Sequence, residues 1–118
     1  MGKAHIDSMN YADLRAREYG SLGYQTAFTA DGDRVTVTHH GAPIARMFPA
    51  GDHLRIETWD HGYGSVTTAN RIRQVFEDNS ISDVTCRVKG GELVYFVDGE
   101  PAQADGWFTA TKPLPTYY

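Results

Sequence analysis

Between Tyr24 and Trp59 the chain alternates apolar and polar side chains with a period of two, broken by short clusters of turn residues. Tyr24, Thr26 and Phe28 alternate with polar or small neighbours, and Val35, Val37 and His39 resume the period after Asp31-Gly32. A further strand is predicted near Ile44 to Phe48. The next, His53 to Trp59, turns Leu54, Ile56 and Thr58 one way and His53, Arg55, Glu57 and Trp59 the other. Successive strand side chains point to opposite faces, so each strand has a buried side and a wet side. Asp31-Gly32 predicts a primed hairpin turn with both central residues at positive φ. Turn residues at Gly41–Pro43 and Pro49–Asp52 separate the remaining strands, and four strands so joined predict an antiparallel meander.

Two segments carry the helical period instead. Asn10, with Asp13 three residues later, predicts a capped short helix over "YADLRARE", packed through Tyr11, Leu14 and Tyr19 and ended by Gly20 in the left-handed position. A principal helix is expected at about Thr67 to Asp78, with Ala69, Ile72, Val75 and Phe76 on one stripe. Arg71, Arg73, Gln74 and Glu77 are left for solvent or a partner. Period two then returns at Val84, Cys86 and Val88, followed by the turn "KGGE" and Leu93 to Val97, which predicts a C-terminal hairpin with a last short strand around Trp107 to Thr109. The expected fold is therefore α+β: an antiparallel meander carrying one principal helix, with a short N-terminal helix and a C-terminal hairpin. It occupies 1–118 as a single domain, with 1–9 and 111–118 as extended or flexible termini.

Composition narrows the possible functions. With fifteen acidic and eleven basic residues the formal net charge is -4, which gives no global field to attract nucleic acid. The hydrophobic share of 41% and aromatic share of 12% supply a core. A single cysteine, Cys86, excludes a disulfide framework and is expected to point inward. The longest apolar run, Leu93 to Val97, is far shorter than the roughly 20 residues of a membrane helix, and "MGKAHIDSMN" has no apolar signal core, so a cytoplasmic location without membrane contact is expected.

Candidate chemistry is thin. Histidines adjoin aspartates or each other at His39-His40, Asp52-His53 and Asp60-His61, but a metal site from His39, His53 and Asp60 needs three strand ends to converge, and no ligand-spacing motif supports it. Ser65 in "GYGS" is not in a nucleophile elbow, and the carboxylates Asp31, Asp33, Asp98 and Glu100 sit in turns, where such residues serve the backbone. No catalytic residue, metal or cofactor is assigned. The segment "WDHGYGSVTT" poses the sharpest question, because glycines leading into a helix N-terminus can cradle phosphate. It matches neither G-x-x-x-x-G-K-[ST] nor G-x-G-x-x-G, and the expected role is architectural, with Thr67 or Thr68 as the N-cap.

The stretch "IARMF" followed by "LRIETWDHGYGSVTTANRIRQVF" resembles a family of small, mostly uncharacterised tailed-bacteriophage proteins that share a Gly-aromatic-x-T-x-T-T-K-x-R-[IL]-N pattern. Ile44, Ala45, Gly62, Tyr63, Thr67, Thr68, Arg71 and Ile72 carry the likeness, within a match from about Thr36 to Phe96. Ser65 stands in place of a Thr and Ala69 in place of the Lys. The resemblance implies a phage-type accessory protein in a bacterial host's cytoplasm and supplies no catalytic residue. Together these features lead to the expectation of a noncatalytic module that binds a host or viral protein through Arg55, Trp59, Tyr63, Arg71 and Arg73. A single-stranded nucleic-acid binder using the open sheet face is the alternative, disfavoured by charge, and a metal-dependent enzyme is the third reading. Pairing of sheet edges into a homodimer is also open.

Overall fold

A computed structural model of the chain describes residues 7–104 and 106–114. Its architecture is α+β, with every strand pair antiparallel and the strands in two sheets. The first sheet is a meander of β1 (Tyr19–Gly23), β2 (Thr26–Asp31), β3 (Arg34–His39), β4 (Ala42–Ala50) and β5 (His53–Thr58). The last strand, β9 (Phe108–Pro113), returns to pair with β5 as the sixth member. The second sheet is the hairpin β6 (Val84–Lys89) and β7 (Glu92–Val97), with the short β8 (Glu100–Ala102) beside β7. Helix α1 (Tyr11–Arg17) precedes the meander and α2 (Val66–Asp78) links the two sheets.

The alternation read from the sequence sets the inner face. Leu22, Phe28, Val35, Val37, Met47, Leu54 and Ile56 are buried there, joined by Leu14 of α1, by Ile72, Val75 and Phe76 of α2, and by Val84, Cys86 and Tyr95 of the second sheet in one apolar cluster. The Tyr95 ring stacks on Phe108 at 4.1 Å between centroids, and its hydroxyl meets Thr58 Oγ1 at 2.7 Å, joining the two sheets. Asn79 closes the other end. Its side chain accepts the Tyr11 amide and donates to the Met9 and Val75 carbonyls, which fastens the segment before α1 to the end of α2. Met9, assigned by the sequence to a flexible terminus, is accordingly buried.

Several local expectations are corrected. Helix α1 stops at Arg17, with Glu18 (φ 75°) rather than Gly20 as the residue that ends it, and the following residues form β1, a strand the alternation did not reveal. The N-cap of α2 is Ser65, whose hydroxyl accepts the Thr68 amide, rather than Thr67 or Thr68. Asp31 pairs with Arg34, so the central turn residues are Gly32 and Asp33, and of these only Gly32 has positive φ. Thr111, Lys112 and Pro113 continue β9 against Arg55, Leu54 and His53. The rest of the two expected termini, 1–6 and 115–118, lies outside the described residues.

Candidate binding surface

The glycine segment is organised by an aspartate. Asp60 is buried, and its two carboxylate oxygens accept the amides of Gly62 and Gly64, both at 2.9 Å, while its carbonyl accepts that of Tyr63. Charge-assisted bonds of this kind are the strong ones. The position a phosphate would take on those amides is therefore filled by the chain's own carboxylate. The loop is also held close from outside, because a Cβ on Gly64 would lie 1.9 Å from the Gly91 carbonyl oxygen in the β6–β7 turn.

From this loop a continuous polar and aromatic strip runs over the outer face of the six-stranded sheet. The register that pairs Ala50 with His53 also pairs Arg46 with Glu57 and Glu57 with Thr109, so these side chains share the face opposite the core. Glu57 binds Arg46 Nη2 at 2.8 Å and Arg55 Nη2 at 3.1 Å. The Arg46 guanidinium lies 3.8 Å over the Trp107 ring, which meets Trp59 edge-on at 5.7 Å. Trp59 lies 4.4 Å from the His61 ring, and His61 in turn neighbours Tyr63 at 6.3 Å. A His61 ring nitrogen is held by the Pro43 carbonyl. Glu57, expected on the wet face, is buried beneath the two guanidinium groups that bind it. Both tryptophans remain partly exposed and Tyr63 is 69% exposed. A cleft of 170 Å³ opens beside Trp59 and Asp60 towards Leu93, Tyr95 and Gln103.

The five residues singled out by the sequence therefore fall into three places. Arg55, Trp59 and Tyr63 belong to the strip, with Arg46, Trp107 and His61 added. Counting outward from the Gly51-Asp52 turn would have found Arg46 opposite Glu57, whereas the approach of Trp107 depends on β9 returning to β5. Arg73 lies elsewhere. It donates to the Cys86 carbonyl at 2.9 Å and to the Asn70 side chain, and borders a cleft of 360 Å³ with Arg87 and Phe96.

Arg71, expected on the surface, is only 5% exposed. Its guanidinium lies over the Tyr24 ring at 5.8 Å and its Nε has no hydrogen-bond partner among the described residues. A desolvated cation–π contact is worth about 2 kcal/mol. Burying an ion costs several, so Tyr24 does not offset the desolvation. Burial, together with the charges of His40 and Arg71, holds the His39 imidazole below its usual value, and burial likewise lowers Arg71.

Among the described residues no group of three or more His, Cys, Asp or Glu side chains is placed to hold a metal. Its three candidate ligands are separated: His39 bonds Thr26, Asp60 binds its own loop, and His53 pairs with Asp52 at the opposite end of β5. Cys86 is buried, as its place in the alternation implied, with its Sγ–H directed at the Ala69 carbonyl. Among the described residues no helix is long and apolar enough to cross a membrane. No protein-family model, curated protein or solved structure matches this chain.

Proposed function

We propose that this chain is a noncatalytic binding module whose contact surface is the outer sheet face from Arg55 through Trp107 and Trp59 to Tyr63. The observation that carries the reading is the Arg46–Trp107–Trp59–His61 stack. It sets large, mutually braced rings on the face of the sheet turned away from the core. Aromatic and arginine side chains are the ones that dominate binding energy where macromolecules meet, and rings already held by neighbours lose little entropy on contact. The sequence resemblance supports a phage-type accessory protein acting in a bacterial cytoplasm on a host or viral protein.

The test is affinity capture from a bacterial lysate with mass spectrometry, comparing the wild type with the double variant Trp59→Ala/Tyr63→Ala. The variant is expected to keep its circular dichroism spectrum and lose the partner. Unchanged capture removes this face from the reading.

A second reading has one observation in its favour: Arg46 lies on the Trp107 ring and shares Glu57 with Arg55, an arrangement of cations beside aromatic rings suited to the stacked bases and phosphates of a single strand. Fluorescence titration with an oligonucleotide at two salt concentrations separates the two. Phosphate contacts weaken steeply with salt, and a protein partner's capture does not need the oligonucleotide.

A further inference from the structure

A second feature lies away from the aromatic strip, where the β1–β2 and β3–β4 turns meet α2. The two turns are tied by the His40 amide donating to the Gln25 carbonyl at 2.8 Å. Below them sit His39 and Arg71, each only 5% exposed, with His40 contacting His39 at 4.4 Å between ring centroids. The Thr26 hydroxyl donates to the Tyr24 carbonyl, so its oxygen accepts from His39 Nδ1 and leaves His39 Nε2 without a proton while the ring is neutral. The two histidine rings are thus in contact, and Arg71 lies over the ring of Tyr24, whose carbonyl accepts the hydroxyl that holds His39. Among the described residues none of His39, His40 and Arg71 is ion-paired with a carboxylate, since the ion pairs of the chain involve Arg15, Arg17, Arg46, His53 and Arg55. An arginine buried this far with a bare Nε is out of balance unless an anion joins it.

We propose that Arg71, His39 and His40 form a binding site for a phosphate monoester group, entered from the side of the exposed Tyr24 ring. The guanidinium fork supplies parallel donors suited to two phosphate oxygens. The histidines add donors by taking up protons as the dianion arrives. A monoester is favoured over a backbone diester because the guanidinium is enclosed, and only a terminal group can reach it. Tyr24, 61% exposed and itself at positive φ (50°) in the β1–β2 turn, is the part of the roof that gives way.

The experiment is a titration of the full chain with inorganic phosphate, read by the imidazole resonances of His39 and His40 and by the melting temperature, against sodium chloride at equal ionic strength. Saturable shifts of both rings and a phosphate-specific rise in melting temperature are expected. Phenyl phosphate is expected to reproduce them and an oligonucleotide lacking terminal phosphates is not. Arg71→Met is expected to fold and to bind phosphate at least about tenfold more weakly. Should that variant fail to fold, Tyr24→Gly gives the second reading, with binding tightened by opening the entrance. Equal responses to phosphate and chloride, a response to the diester alone, or phosphate binding undiminished in Arg71→Met or weakened in Tyr24→Gly would each overturn the proposal.

Discussion

Gly64 passes so close to Gly91 that a single added methyl carbon would stand 1.9 Å from the carbonyl oxygen. That oxygen belongs to a hairpin turn of the second sheet, so neither side can move without disturbing an element. Gly64 also holds positive φ (63°), a conformation that opposes any side chain. Gly64→Ala is expected to destabilise the fold by about 3 kcal/mol, through overpacking added to backbone strain. Gly90→Ala, where a Cβ meets nothing within 4 Å, is expected to cost about 1 kcal/mol from φ alone. Urea denaturation of both variants checks the difference, and equal losses would mean that the contact with Gly91 is unimportant.

The Asn79 side chain serves three backbone groups at once, and Asn79→Ala removes its bonds to the Tyr11 amide and to the Met9 and Val75 carbonyls. Each lost hydrogen bond costs about 1 kcal/mol. The expected loss is about 3 kcal/mol. Amide exchange locates it: the Tyr11 amide is expected to exchange far faster in the variant while the β3–β4 ladder stays protected.

Burial pushes the Cys86 thiol up to about 12, opposed by nearby Arg73 and reinforced by Asp60. The thiol is therefore neutral in the folded chain across the physiological range and is expected to resist alkylation at pH 8 until denaturant is added. The linkage has a definite sign. A folded-state pKa raised above the ordinary value of 9.0 contributes stability that is intact below pH 9 and is lost as pH climbs from there towards 12. Cys86→Ala is expected to flatten that part of the alkaline decline, measured by denaturation at pH 8 and pH 10.5.

His39 works in the opposite direction. Its pKa is lowered from 6.5, chiefly by burial, so the unfolded chain takes up a proton more readily than the folded one. Its contribution is present above pH 6.5 and lost as pH falls below that value. Denaturation at pH 7.5 and pH 5.5 is expected to show a smaller acid-induced loss in His39→Gln, which cannot be protonated.

Local readings survived where local physics decides. Asn10 caps α1 as its spacing with Asp13 implied, the stripe of Ala69, Ile72, Val75 and Phe76 is buried, and Cys86 faces inward. Readings failed where a side chain's surroundings come from distant segments. Arg71 looks like a surface residue on a helical wheel, yet it is enclosed where α2 meets the ends of the sheet. Glu57 belongs by parity to the wet face, yet two arginines close over it. Strand β1 was hidden because Gly20 and Gly23 dilute its alternation, and it forms by pairing with β2.

What the sequence determined by itself is the order of most strands and of both helices, with β1 and β8 escaping it, and the face most of them turn to the core, because periodicity, caps and turns act over a few residues. Tertiary structure alone decided that Trp107 comes to Trp59 and Arg46, and that Arg71 is buried with no ion-pair partner among the described residues. Each of these depends on β9 returning to β5, or on α2 crossing the sheet, and the free energy of such contacts belongs to pairs far apart in the chain that no local pattern records.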